Sequence, residues 1–136
     1  MNPVYSVIVP CYNEEDCLQQ THARLSAAMQ GMGESYEIVY VNDGSRDKTP
    51  AMLDDLAARD TRVRVIHFAR NAGHQMAVSA GLDYAAGQAV IIIDADLQDP
   101  PELIPEMAAR WKAGAQVVYG QRRKRAGESR FKELTA

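Results

Sequence analysis

The sequence predicts an α/β protein built on a mostly parallel sheet sandwiched by helices, and three observations carry that prediction. Short apolar runs alternate with helix-length amphipathic segments along the chain. That alternation is the signature of strand–helix–strand units, whose crossovers place helices on the faces of a parallel sheet. Second, the run Val90 to Asp99, VIIIDADLQD, drives four aliphatic residues straight into three carboxylates. It reads as a strand buried on both faces, with an acidic cluster at its carboxyl end, where open α/β sheets place ligands. Third, the other strand ends carry polar punctuation of the same kind.

Strands are expected at Tyr5 to Pro10, Glu37 to Asn42, Val63 to Phe68, Ala89 to Ile93 and Gln116 to Tyr119. The first helix is expected from about Glu14, because Leu18, Thr21, His22, Leu25, Ala28, Met29 and Met32 recur at helical spacing before Gly31 and Gly33. His22 reads as cover for that helix's inner edge. Thr49-Pro50 opens the second helix, with Met52, Leu53, Leu56 and Ala57 inward. The third starts after Gly73 and offers the small residues Ala77, Ala80 and Gly81 to the sheet, with Gly87 as its stop. The fourth opens at Pro100-Pro101, turns Leu103, Ile104, Met107 and Trp111 inward, and ends at Gly114.

At 136 residues the chain is long enough for one core, and 46% apolar with 24% charged residues is ordinary globular composition. The net charge of −3 hides an asymmetry: residues 1–120 sum to −7 and residues 121–136 to +4. The division expected is therefore a ligand-binding body over 1–120 and a basic segment over 121–136. Such a segment suits an anionic partner or is a solvated tail. Cys11 and Cys17 match no metal or redox spacing, so two reduced thiols are expected. No signal-peptide pattern stands at the N-terminus, and no apolar stretch approaches the ~20 residues of a membrane helix. The chain as written reads as soluble and cytoplasmic.

Asp94 and Asp96, one residue apart at a strand end, can offer hard oxygen ligands to Mg2+ or Mn2+, which commonly bridge to substrate phosphates. Asp99, before two prolines, suits the cap of the next helix. Tyr12 can stack on a base, and Asn13 or Glu14 can accept from ribose or base. Glu15 and Asp16 read as first-turn partners of the helix dipole. Asp43, before Gly44-Ser45, either holds a base or ribose or closes an Asx turn. His74 at a helix start either donates to a phosphate or is an ordinary surface histidine. Arg122, leaving the same rim after Gly120, can meet a diphosphate bidentately.

Taken together, P-x-Y-N-E, V-N-D-G-S, R-N-x-G-H and D-A-D-L-Q-D-P-P-E, in this order, resemble the family 2 glycosyltransferases of GT-A (Rossmann-like) fold. The resemblance is nearest to the bacterial polyprenyl-phosphate glycosyltransferases, relatives of dolichyl-phosphate mannose synthase. It runs from Tyr5 to the G-E-S-x-F-K segment at Gly127 to Lys132. It implies that Pro10, Tyr12, Glu14 and Asp43 hold the nucleoside and that Asn71, Gly73 and His74 line the donor pocket. Asp94, Asp96 and Gln98 would bind the metal and diphosphate, with Asp96 the catalytic residue and Arg122 facing the phosphates. The reaction implied is inverting, Mg2+- or Mn2+-dependent transfer from a nucleotide diphosphate sugar, with a lean to a uridine diphosphate sugar, to a polyprenyl phosphate. It would run at the cytoplasmic face of the inner membrane.

Such enzymes continue past the region matched here into acceptor-binding and membrane elements. The chain is therefore expected to be an N-terminal, donor-binding portion, incomplete at its C-terminus, that meets the membrane through the missing region. Nucleic acid is not an expected partner. Two other classes fit parts of the pattern. A haloacid-dehalogenase-type phosphatase also carries D-x-D after a buried strand, but Leu97-Gln98 stand where it would need Thr or Val. A non-catalytic nucleotide-binding module would bind donor without turnover.

Overall fold

The computed structural model describes residues 2–122 and 129–135, with side chains as far as residue 116. The chain divides into two compact units, residues 1–101 and 102–136. In the first, β1 (Tyr5–Cys11), β2 (Tyr36–Asn42), β3 (Val63–His67) and β4 (Ala89–Ile92) form one parallel sheet in the order β3-β2-β1-β4. Helices α1 (Leu18–Gly31), α2 (Thr49–Arg59) and α3 (His74–Tyr84) make the crossovers. The strands wind outward from β1 to β3, and α3 then carries the chain back across to the far side of β1. The winding reverses between β1 and β4, which is where an open α/β sheet leaves a crevice at its carboxyl rim.

Strands β1 and β2 are buried along their whole lengths, as central strands covered on both faces must be. On one face α3 lays Ala77 against Ile8, Val39 and Val41. Gly81 permits this approach, since a Cβ there would stand 2.5 Å from Cγ2 of Ile8. On the other face α1 buries Leu18, Thr21, Leu25 and Met29. His22 of α1 lies on that inner edge, its Nδ1 2.7 Å from the hydroxyl of Tyr40 and its Nε2 3.2 Å from Ser26 Oγ. Burial lowers its pKa and outweighs the opposing pull of Asp60.

The structure departs from the sequence expectations in four places. Strand β4 is not buried on both faces: Val90 and Ile92 are 41% and 47% exposed while Ile91 is buried. They lie on the face that α3 covers, but within this unit α3 packs over β1 and β2 and β4 stands at the sheet's edge. Helix α1 starts at Leu18 and not near Glu14, because Glu14 and Glu15 spend their amides on the neighbouring loop. Helix α3 ends at Tyr84, ahead of Gly87, whose lack of a Cβ instead lets the chain pass the amide of Ser6. Pro101–Leu103, at the boundary of the two units, is a 3-10 turn, and in the second unit α4 (Ile104–Lys112) leads to β5 (Ala115–Arg122). Strand β5 pairs antiparallel with β6 (Ser129–Thr135), an element that the basic composition did not announce. Among the described residues no helix is long and apolar enough to cross a membrane.

The amino ends of the strands are tied by one buried carboxylate. Glu37 Oε2 accepts from Ser6 Oγ at 2.6 Å and from the Ala86 amide at 2.8 Å, and Ser6 Oγ accepts from the Gly87 amide at 2.8 Å. Arg64, largely exposed, reaches Glu37 Oε1 at 3.1 Å. Replacing Glu37 with Ala leaves a buried hydroxyl and an amide without their acceptor, so a loss of about 2 kcal/mol is expected in urea denaturation. Arg64→Ala, which removes only a solvent-screened partner, is expected to cost under about 1 kcal/mol. Equal losses would remove the buried carboxylate from this role.

Candidate functional site

The loops after β1 and β2 are stitched together at the carboxyl rim. Asn13, in the left-handed region at φ 52°, donates its amide to Ser45 Oγ at 2.9 Å, and its side-chain oxygen accepts from the Arg46 amide at 2.9 Å. The Glu14 amide donates to Thr49 Oγ1 at 2.9 Å and the Glu15 amide to Asp47 Oδ2 at 3.2 Å, while Glu15 Oε2 accepts from the Lys48 amide at 3.2 Å. Glu15 is thus a loop bridge and not a helix-dipole partner. Burial raises Asp47, but the bonds from Thr49 and Glu15 prevail and hold its carboxyl below the usual range.

A second brace joins the loops after β2 and β3. Asn42 Oδ1 accepts from the Ser45 amide, three residues on, at 2.9 Å and so folds the loop back on the strand end. Gly44, at φ 70°, lies so close to the next loop that a Cβ would overlap the backbone of Arg70 and Asn71. Asp43 is only 4% exposed. Its Oδ1 accepts from the amides of Ala72 at 2.6 Å and Gly73 at 3.3 Å, and its Oδ2 from Gly73 at 3.1 Å and Asn71 Nδ2 at 3.2 Å. Three donors thus converge on this carboxylate, the Gly73 N–H being shared between its two oxygens.

Between these loops lies a cavity of about 440 Å³ lined by Tyr12, Asn42, Gly44 to Arg46, Pro50, Asp54 and residues 67–71. Tyr12 is 44% exposed and offers its ring to the opening. His67 is held in the wall by Asn42 Nδ2 at 3.0 Å and Asp54 Oδ1 at 2.8 Å. Arg46, Asp54 and His67 had no role in the sequence reading. Arg46 and His67 carry only the signal of nearness to a strand end, and Asp54, inside α2, carries none.

Across the switch point stand the acidic residues. Asp94 is partly exposed, with His74 Nε2 3.9 Å from its Oδ1. Asp96 is exposed and its Oδ1 accepts from the Gln98 amide at 3.1 Å, while Leu97 takes a left-handed φ of 63°. Burial, and then the charges of Asp96, Asp47 and Asp94, raise the Glu14 carboxyl above its ordinary value against a bond from Cys17. Among the described residues no three His, Cys, Asp or Glu side chains are grouped closely enough to hold a metal by themselves. Two carboxylates whose charges help raise Glu14 nevertheless suit Mg2+ or Mn2+, which take one or two protein carboxylates and complete their shells with phosphate and water oxygens.

Of the site residues expected from sequence, Tyr12 and Asn71 line the cavity, Asn71 and Gly73 meet Asp43, and His74 meets Asp94. Pro10 is buried in β1, paired with Val41. Gln98 follows the turn at Asp96. The backbone of Arg122 ends β5 opposite Ser129, and its side chain lies outside the described residues.

The sequence profile of the Glycosyl transferase family 2 matches residues 6–136. The chain is 52% identical over 132 residues to the uncharacterized glycosyltransferase YkcC of Bacillus subtilis, covering 97% of this chain and 41% of that protein. It is 41% identical over 131 residues to the bactoprenol glucosyl transferase of Shigella phage SfV, covering 96% of this chain and 43% of that one. The chain thus spans well under half the length of these curated relatives. Among solved structures, it resembles the mannosyltransferase PcManGT from Pyrobaculum calidifontis in complex with GDP-Man and Mn2+. That likeness has a TM-score of 0.67 and 25% identity over 83% of this chain and 33% of the other.

Proposed function

The chain belongs to glycosyl transferase family 2, and from that premise we propose that it binds a nucleotide diphosphate sugar across the carboxyl rim of its sheet. In the whole protein, the sugar passes with inversion to the phosphate of a polyprenyl lipid. The observation that carries the reading is that one carboxyl rim holds both a cavity with an exposed aromatic wall, among the loops after β1, β2 and β3, and the two solvent-accessible carboxylates of Asp94 and Asp96 after β4.

The base stacks on Tyr12 in the cavity, and Glu14 and the loop braced by Asp43 hold the ribose side. Asn71, Gly73 and His74 line the path toward the diphosphate, where the exposed imidazole of His74 can donate to a phosphate oxygen. Asp94 and Asp96, with Gln98 beside them, would hold Mg2+ or Mn2+, which would supply Lewis-acid stabilisation of charge developing on the leaving diphosphate. Asp96 is the residue on which that binding would most depend. For Arg122 a role at the phosphates rests on the family resemblance alone. A lipid phosphate is ionised at neutral pH and attacks without a strong general base.

The lipid acceptor, and the work at the cytoplasmic membrane face that follows from it, are supported by the 41% identity to a protein named for bactoprenol. The lean to uridine rests on the family resemblance, and the GDP-Man complex of the mannosyltransferase supplies the competing base. Calorimetric titration with uridine and guanosine diphosphates in the presence of Mn2+ tests site and base together. Uridine diphosphate is expected to bind more tightly, and a chelator to weaken it at least tenfold, ~1.4 kcal/mol. Binding of neither nucleotide would overturn the site, and binding indifferent to chelator would overturn the cation.

A further inference from the structure

The last bond of the β4 ladder runs from the Ile93 amide to the Ile8 carbonyl at 3.0 Å. Beyond it the chain leaves the sheet, and the next three residues are Asp94, Ala95 and Asp96. Ala95 is 1% exposed, and its carbonyl turns in toward α1, where it accepts from Thr21 Oγ1 at 2.7 Å and lies 3.2 Å from Cys17 Sγ, whose single S–H it shares with Glu14 Oε2 at 3.3 Å. Thr21 is fully buried and lies 74 residues away in sequence.

A threonine hydroxyl inside a helix ordinarily bonds back to the carbonyl four residues earlier. Here the Thr21 amide keeps its helical bond to the Cys17 carbonyl at 2.9 Å, while the hydroxyl leaves the helix to meet Ala95. We propose that Thr21, seconded by Cys17, is a positioning residue that clamps the Ala95 carbonyl and so sets the direction in which Asp94 and Asp96 present their carboxylates. Ala95 is the pivot between the two acids. Fixing one peptide plane there fixes both sides at once, whereas two exposed aspartates on an untethered turn would sample many directions. Sites that bind cations keep their geometry only where such outer partners lock the first ligands. The functional consequence rests on the reading of Asp94 and Asp96 as cation-facing residues.

The test compares Thr21→Val, which keeps the shape and removes the hydroxyl, with Thr21→Ser, which returns it. Amide exchange over residues 94–97 reads the clamp directly, and titrations with Mn2+ and uridine diphosphate beside plain uridine read its consequence. Thr21→Val is expected to speed exchange in that segment and to weaken the Mn2+-dependent binding about tenfold. Uridine affinity and exchange in β1 and β2 should hold, and Thr21→Ser should restore both readouts. Unchanged exchange and unchanged affinity in Thr21→Val would overturn the clamp. Equal losses for uridine and uridine diphosphate, with exchange raised throughout, would also overturn it by making Thr21 a plain core residue. Wild-type binding that ignores a chelator would fell the cation reading on its own, before any variant is compared.

Discussion

Asp43→Asn is expected to cost about 3 kcal/mol of stability and to abolish nucleotide binding, although Asn has nearly the same size and shape. The Asp43 carboxylate, 4% exposed, accepts from the amides of Ala72 and Gly73 and from Asn71 Nδ2. Charge-assisted bonds of this kind contribute ~1.5–3 kcal/mol apiece and do not add in full. An Asn side chain turns one acceptor into a donor, so at least one buried N–H faces another N–H. The result is a large share of the ~5–15 kcal/mol by which a domain is stable. Urea denaturation at constant slope measures it. The same experiment separates two roles for this residue. If Asp43 touched the nucleoside and braced nothing, affinity would fall while the denaturation midpoint stayed. A midpoint within the equivalent of about 0.5 kcal/mol of wild type would therefore remove the brace and leave only the direct contact.

This double reading of Asp43 marks where sequence reasoning stopped. That the loop after EIVYVN mattered was legible, because a buried strand ending in N-D-G-S is unusual polar punctuation. What its carboxylate bonds to was not, since the partners are 28 to 30 residues away and no local spacing encodes a pairing between loops. The same holds for Ser45, Asp47 and Thr49, which meet residues 32 to 35 positions earlier, and for Thr21 with Ala95. The core strands were readable because hydrophobic runs report burial directly. Strand β4 misled for the same reason: Val90 and Ile92 match the aliphatic run of a buried strand, and hydropathy alone does not say that α3 stops over β1. Strand β6 escaped because the charge of residues 121–136 dominates their reading. Antiparallel pairing asks only for an extended backbone, and charged side chains do not prevent it.

Asp96→Asn is the variant expected to lose binding without losing structure. Its Oδ1 accepts from the Gln98 amide at 3.1 Å, a bond that the amide oxygen of Asn can keep, so the turn through Leu97 persists. What disappears is one negative charge in a field already strong enough to help raise Glu14. Without cation, that removes repulsion among Glu14, Asp94 and position 96, so the melting temperature of the metal-free variant is expected to equal or exceed wild type. With Mn2+ the sign reverses, because a neutral amide is a far weaker ligand than a carboxylate. Mn2+-dependent affinity for uridine diphosphate is expected to fall about a hundredfold, ~2.7 kcal/mol. Asp83→Asn, which changes the net charge identically at an exposed position nine residues along α3 from His74, should leave that affinity within about twofold under the same salt, since exposed charges at a distance are screened. Calorimetry with and without chelator, beside thermal melts of the metal-free proteins, decides the matter. A lowered metal-free melting temperature would make Asp96 a structural residue, and an undiminished Mn2+ response would place the cation elsewhere.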